Sequence, residues 1–230
     1  MRMIARFQKL EGIRYLSHLD LQRAIARALR RSGLPLEYSK GFNPHPLLSL
    51  ATALPVGMAS LEEYMDIGLE RDVLPKAFLK ALALVMPPAL PVTAARPVPS
   101  DFPKLTARIA AADYSIAVRG LEDAPWEDRL AARLAAPSFI ARRQTKSGEG
   151  DIDVKPLVSD YGVGYEGDAT IFVLRLGTAE GALIRPDVPV RALFAAYGVD
   201  PESVDILMLR TTLYVRGADG ALISPLDAAP

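Results

Sequence analysis

The sequence predicts an α+β protein made of two ferredoxin-like (split βαβ) domains, the second with an added strand or hairpin. The chain has 230 residues, 50% of them hydrophobic, which suffices for one large core or two small ones. Helical and strand periodicities alternate along it. A proline-rich stretch, 96–103, interrupts them and is typical of a stiff connection. We therefore predict domains at 1–99 and 100–230.

The first domain is predicted in the order strand, helix, strand, strand, helix, strand, which is that of the split βαβ motif. Ser17 is a typical N-cap for the first helix, and Gly33 is a typical residue after its end. The last strand contains proline, which a sheet edge tolerates. The predicted elements are Met3–Lys9, Ser17–Arg31, Leu34–Ser39, Leu61–Glu70, Asp72 or Pro75 to Met86, and Leu90–Arg96.

The second domain is predicted to have a similar order with one more strand. Either a diverged duplication or coincidence explains the shared order, since this fold is common. The glycine-rich segment Tyr161–Gly167 lacks the strand-to-helix context of a nucleotide-binding loop and is predicted to be a turn. The predicted elements are a helical lead-in Lys104–Ala111, Tyr114–Arg119, Trp126–Leu134, Phe139–Lys146, Ile152–Val158, Thr170–Gly177, Val190–Tyr197 and Val204–Val215.

Composition excludes several kinds of chemistry. There is no cysteine, which removes disulfides, thiolate metal sites, cysteine nucleophiles and thiolate-held iron-sulfur clusters. The 27 basic and 27 acidic residues balance, so a nucleic-acid site has to be a local patch. The N-terminal segment has no uninterrupted apolar run and the apolar stretch 78–86 is too short to span a bilayer, which favours a cytoplasmic protein without membrane contact.

Signatures of catalysis are also missing from the sequence. It contains no serine nucleophile elbow, P-loop, HExxH helix or deaminase motif. These observations favour a protein that is not an enzyme and that has no cofactor and no metal ion.

The first helix is predicted to carry a cationic face. Steps of 100° per residue place Leu21, Ile25, Ala28 and Leu29 on one face of it. The opposite face holds four arginines, Arg23, Arg27, Arg30 and Arg31. Guanidinium groups match the geometry of phosphate, so this face predicts contacts with nucleic acid or with a partner. A solvated helix surface is the alternative interpretation.

The loop Tyr38–Pro46 is the most unusual segment, because Pro44 and Pro46 stiffen it around Gly41. It offers Lys40, Phe42, Asn43 and His45, a combination of a cation, a stacking ring, an amide and an imidazole. That combination suits unpaired RNA bases. Alternatively, the loop is a structural crossover in which Asn43 caps the turn and Phe42 fills the core.

Two further groups of residues are candidates for function. His18 and His45 are the only histidines, and together they suggest an acid and a base for metal-independent RNA cleavage, although structural or binding roles are favoured. In the second domain, Arg142, Arg143 and Lys146 predict a basic hairpin that contacts RNA or a partner. The hairpin could equally be charge-balanced, because acidic residues follow its turn.

Several motifs resemble those of the radical-SAM-linked protein family. They are YLSHLDLQRA from Tyr15, ALRRSGLP from Ala28, YSKGFNPHP from Tyr38 and LPVG from Leu54, with a looser match at 146–156. That family is a domain of unknown function fused to, or encoded beside, cobalamin-binding-type radical SAM proteins, often near genes for ribonuclease G and ribosomal proteins. The resemblance implies a radical SAM partner and work on RNA, such as rRNA or tRNA, and it carries over no catalytic residues.

The leading hypothesis from the sequence is a non-catalytic, RNA-binding or partner-binding accessory protein. The alternatives are an RNA-processing endoribonuclease that uses His18 and His45, and an interaction scaffold without RNA contact. On fold alone, the first domain also resembles ferredoxin-like CRISPR endoribonucleases.

Overall fold

The structure, a computed structural model, describes residues 1–145, 148–179 and 181–229. Its helices are α1 His18–Arg31, α2 Pro75–Ala83, α3 Trp126–Ala135 and α4 Asp187–Ala196. Its strands are β1 Arg2–Lys9, β2 Leu48–Leu50, β3 Met58–Gly68, β4 Val92–Val98, β5 Ile109–Arg119, β6 Ile140–Thr145, β7 Gly148–Asp153, β8 Val158–Glu166, β9 Ala169–Ala179, β10 Ala182–Leu183, β11 Asp205–Arg216 and β12 Leu222–Ile223. The predicted α+β class is confirmed. None of the helices in the described ranges has the length and apolar character needed to cross a membrane.

The chain forms two compact units. Unit 1 consists of Met1–Ala110 and Arg210–Pro230, and unit 2 consists of Ala111–Leu209. The chain thus returns to unit 1 after it has built unit 2. The predicted domains at 1–99 and 100–230 stay a prediction.

Unit 1 contains an antiparallel sheet in the order β4, β1, β3, β2. Its elements follow one another as strand, helix, strand, strand, helix, strand. Both helices contribute to one apolar core against the sheet. This core contains Met3, Ala5, Phe7, Leu21, Ile25, Leu29, Leu36, Leu50, Met65, Ile67, Leu69, Phe78, Leu82 and Leu90.

Helix α1 begins where the sequence predicts. The hydroxyl of Ser17 accepts a hydrogen bond from the backbone N–H of Asp20 at 3.2 Å, which satisfies one of the donors left open in the first turn. After the helix, Gly33 adopts a φ of +70°, a conformation that glycine reaches without steric cost. The predicted apolar residues Leu21, Ile25, Ala28 and Leu29 are all buried.

The predicted second strand, Leu34–Ser39, is wrong. This segment makes only two isolated bridges, Leu36 to Leu69 and Tyr38 to Pro46. The continuous strand is β2, which follows the loop and pairs along β3 from Leu48 opposite Ile67 to Leu50 opposite Met65. Pro35 and Pro46 lack a backbone N–H, so an uninterrupted run of donors starts only after the loop.

Unit 2 has an antiparallel sheet in which β9 lies between β5 and β8, while β10 pairs with the end of β9. Trp126 of α3, Phe172 of β9 and Phe194 of α4 meet edge to face, with ring centroids 5.5 to 6.5 Å apart, and are all buried. Strands β6 and β7 form a separate two-stranded hairpin.

Further predicted elements differ from the structure: the helical lead-in Lys104–Ala111 is limited to a short 3-10 helix, Leu105–Ala107, because β5 begins at Ile109. The predicted turn Tyr161–Gly167 is wrong, because most of it belongs to β8, which pairs with nearly the whole length of β9. Gly162 and Gly164 lower the local strand propensity, and pairing with a long buried neighbour overrides it. The strand predicted at Ile152–Val158 lies earlier, at Gly148–Asp153, since it is the hairpin partner of β6.

Candidate functional site

A groove in unit 1 brings together several of the predicted site residues. Its volume is about 440 Å³, and α1, the 38–46 loop and β2 form its walls. The lining residues are Leu19, Gln22, Arg23, Ala26, Arg27, Arg30, His45, Pro46 and Leu48. The residues from α1 recur at spacings of three and four, so they form one stripe along the helix. Sequence reasoning missed Leu19 and Gln22, although their helical spacing from the arginines indicates that they lie on the same face.

Three of the four predicted arginines line this groove, and all three are exposed. Arg23 lies 3.3 Å from the carboxylate of Asp20. Within the described ranges, Arg27 and Arg30 have no ion-pair partner. Like charges three or four residues apart on a helix are destabilising by about 0.2–0.5 kcal/mol per pair. The negative end of the α1 dipole offsets this repulsion for Arg30, which lies in the last turn of the helix. Arg27 lies farther from the helix end and gains less from the dipole.

The fourth arginine has a different environment. The guanidinium of Arg31 donates to the carbonyl of Val85 at 3.0 Å, and Arg31 is not among the groove residues. It therefore links the end of α1 to the segment that follows α2, and this contact accounts for its position.

The opposite wall is held by a pair of residues at the two ends of the loop. The hydroxyl of Ser39 accepts from the backbone N–H of His45 at 3.1 Å and hydrogen-bonds the imidazole Nδ1 at 2.9 Å. In the other direction, the backbone N–H of Ser39 donates to the carbonyl of His45 at 2.9 Å. These three bonds close the loop and set the orientation of the His45 ring on the groove wall.

The tip of the loop presents its side chains to solvent. Lys40, Phe42 and Asn43 are all exposed, and the relative exposure of Phe42 is 105%, that of a fully solvated ring. The alternative in which Phe42 fills the core is therefore wrong. Gly41 has a φ of +139°, which L side chains rarely adopt and which sets the turn at the tip.

His18 does not line the groove. It is the first residue of α1 and is half-buried. Its Nδ1 is buried, and in the described part of the chain it has no hydrogen-bond partner. The structure thus places one histidine, His45, on the groove wall and the other outside it.

A buried lysine fixes the segment that leads into α1. The ammonium of Lys9 donates to the carbonyls of Arg14 at 2.7 Å and Leu16 at 2.9 Å. Burial lowers the pKa of Lys9 to about 8, while the carboxylate of Glu63 acts in the opposite direction. Sequence reasoning missed this lysine, which occupies a fully buried position on a core strand.

Glu63 is itself paired. Its carboxylate lies 2.7 Å from the guanidinium of Arg210, and both side chains are buried. Lys9, Glu63 and Arg210 therefore place two positive charges and one negative charge inside unit 1. Removing either partner of the Glu63–Arg210 pair is costly, because the buried group that remains loses its hydrogen-bonded partner.

The predicted basic hairpin belongs to unit 2. Arg142 is exposed and lies 3.6 Å from Glu149 and 3.7 Å from Asp151 across the hairpin. Arg143 is half-buried, and Lys146 lies outside the described residues. The environment of Arg142 thus agrees with the interpretation in which the hairpin is charge-balanced. Across the described ranges, no group of three or more histidine, aspartate and glutamate side chains is placed to hold a metal ion.

These features define an α+β protein with a cationic groove between a helix and a closed loop. The chain belongs to the family described as an uncharacterized protein conserved in bacteria (DUF2344), which matches residues 2–186. That description does not mention radical SAM proteins, so the association with them stays a prediction. No curated protein matches the chain.

Among solved structures, the chain is similar to one in a crystal structure of a Cbf5-Nop10-Gar1 complex. The TM-score is 0.51 at 13% identity, with 92% of this chain and 48% of that chain covered. The chain therefore spans about half the length of that protein, and the similarity concerns the fold alone. An unknown protein from Galdieria sulphuraria matches with a TM-score of 0.25 and 11% identity over 91% of this chain and 97% of that one, which is too low to carry an argument.

Proposed function

We propose that this protein is a non-catalytic RNA-binding module that holds phosphate groups in the groove of α1 and an unpaired base on Phe42. The observation that carries the proposal is that Arg23, Arg27, Arg30 and His45 line one groove of about 440 Å³. A groove of this size accommodates a nucleotide-sized group. Arg27 and Arg30, without ion-pair partners in the described ranges, are available for phosphate oxygens.

The chemistry of the loop favours single-stranded RNA over a duplex. An exposed aromatic ring binds a base by stacking, which requires the base to be unpaired. Phe42 offers such a ring, with the cation Lys40 two residues away. The bonds between Ser39 and His45 keep the loop closed before RNA arrives, so less conformational entropy is lost on binding.

We also propose a fold for each of the two units. We assign unit 1 to the ferredoxin-like fold, since its elements and its strand order β4, β1, β3, β2 fit the split βαβ motif. Unit 2 is assigned to the same fold with the β6–β7 hairpin added. The proposed partner is a radical SAM protein, and the proposed RNA is rRNA or tRNA; both rest on the sequence resemblance.

A salt titration of RNA binding tests the function. The logarithm of the binding constant falls with that of the salt concentration, with a slope of about −0.7 per phosphate contact on a single strand. The double variant Arg27→Gln/Arg30→Gln should reduce the magnitude of this slope by about 1.4, the loss of two contacts. The matched control, Arg71→Gln/Arg216→Gln, removes the same charge from exposed arginines of unit 1 outside the groove.

Equal slopes for the natural protein and both variants would refute the phosphate contacts. Absence of any RNA binding would favour the interaction scaffold, and a radical SAM partner that co-purifies after nuclease treatment would support it. The endoribonuclease alternative needs both His18 and His45, and it predicts RNA cleavage products that disappear in His45→Ala.

A further inference from the structure

Unit 2 contains a second cationic pocket, separate from the groove of α1. Its volume is about 420 Å³, and it lies between the β6–β7 hairpin and the start of α4. Four arginines line it: Arg142, Arg143, Arg185 and Arg191. The one carboxylate among its lining residues is that of Asp187. Within the lining itself, four positive charges face one negative charge, which favours an anion once it displaces the exposed carboxylates that pair with Arg142 and Arg191 from outside the lining.

Asp187 orients Arg185 and forms an ion pair with Arg191. Its carboxylate oxygens accept from Nε of Arg185 at 3.0 Å and from Nη2 of Arg185 at 3.1 Å, in a two-pronged arrangement. Nε of Arg191, one helical turn later, lies 3.4 Å from the same carboxylate. The Asp187 side chain is only 10% exposed, so this carboxylate is largely shielded from solvent. The guanidinium of Arg185 is therefore oriented before any ligand binds.

The carboxylates that pair with the other arginines do not line the pocket and are exposed. Glu149 and Asp151 approach Arg142, and Glu202 lies 2.5 Å from Arg191. Solvent-exposed ion pairs contribute little to stability, so a ligand anion can compete with these carboxylates for the same guanidiniums.

The pocket also has an apolar part. Leu183, Ile184 and Val188 line it together with the arginines. A bare inorganic anion would leave this surface without a contact, whereas a nucleotide-sized ligand brings both an anionic and an apolar group. We infer that this pocket binds the phosphate monoester of a nucleotide, with the guanidiniums of Arg143, Arg185 and Arg191 on the phosphate and the aliphatic residues against the base or sugar.

A phosphate monoester occurs both on a free nucleotide and at the 5′ end of an RNA. Isothermal titration with AMP, adenosine and inorganic phosphate is therefore combined with RNA oligonucleotides that carry either a 5′-phosphate or a 5′-hydroxyl. AMP should bind at least tenfold more tightly than adenosine, since a hydrogen bond to a charged group contributes about 1.5–3 kcal/mol. If both AMP and the 5′-phosphorylated RNA bind, the pocket accepts the phosphate monoester from either source. If only that RNA binds, the ligand is the 5′ end of an RNA.

The variant Arg185→Gln should weaken binding about tenfold or more, and Arg185→Lys should restore only part of it because the fork geometry is lost. Arg143→Gln provides a second variant that leaves Asp187 with both of its partners. Arg119→Gln is the control, since Arg119 is an exposed, ion-paired arginine of unit 2 that does not line the pocket. Thermal unfolding checks that each variant is folded.

Binding that is unchanged in folded Arg185→Gln and Arg143→Gln, or equal for AMP and adenosine, would overturn the inference, as would the absence of binding at millimolar AMP and 5′-phosphorylated RNA. The variant Arg27→Gln/Arg30→Gln should keep its affinity for AMP. Failure of the groove in unit 1 as an RNA site is thereby distinguishable from failure of this pocket.

Discussion

Replacing Lys9 by methionine should change how the stability of the protein depends on pH. The pKa of Lys9 is about 8 in the folded protein against an ordinary value of 10.5, because the charged ammonium is buried. Between these two values the unfolded chain binds more protons than the folded chain, so raising the pH favours folding. A difference of about 2.5 units corresponds to about 3 kcal/mol. The natural protein should gain this much relative to Lys9→Met between pH 8 and 10.5.

Urea unfolding followed by circular dichroism at intervals from pH 7 to 10.5 measures this difference. Comparison with the variant is needed because burial raises the pKa of Tyr64 and its hydrogen bond to Glu62 acts in the same direction, so stability falls above pH 10. Lys80→Met, which removes an exposed lysine of α2, controls for the loss of one charge. A difference between the natural protein and Lys9→Met that is constant over this range would refute the reasoning.

Three further predictions concern the fold and the groove. Arg210→Met should lower the free energy of unfolding by about 3–5 kcal/mol in urea titration, because it leaves Glu63 buried without its partner, and Glu63→Leu/Arg210→Met should recover most of this loss. Phe42→Ala should leave the melting temperature unchanged but weaken single-stranded RNA binding by about 1–3 kcal/mol in fluorescence anisotropy. Ser39→Ala should weaken RNA binding without changing its salt slope, since it loosens the loop and removes no phosphate contact. A destabilised Phe42→Ala, or a changed slope for Ser39→Ala, would contradict these expectations.

The parts of unit 1 that could be predicted from the sequence are those determined by neighbours along the chain. The first helix follows from the Ser17 cap, the spacing of its apolar residues and Gly33 at its end, and the structure has it within one residue of the predicted bounds. Its cationic face follows from the same helical geometry. The exposure of Phe42 could not be decided in this way, because a phenylalanine in a loop is compatible with either the core or the surface.

The wrong predictions come from contacts between distant residues. Strand β2 pairs after the loop and not before it, since β3 forms its ladder with Leu48–Leu50. Strand β8 forms despite its glycines because it lies along β9. The partner of Glu63 is 147 residues away, and no local pattern indicates which arginine it meets. Arg185 and Arg191 were missed for the same reason, as their common pocket exists only once the hairpin is placed.

Both walls of the groove are held in place by interactions within the protein, which exist before any ligand binds. Behind the helix wall, the buried face of α1 is fixed by the core, and Lys9 holds the carbonyls of the segment before it. Behind the loop wall, Ser39 holds His45. Stability is thus supplied by residues that face away from the groove, while Arg27 is exposed without an ion-pair partner in the described ranges. Arg27 thus carries an exposed charge on a wall that the protein itself already orders, and this arrangement favours a role in binding an anion.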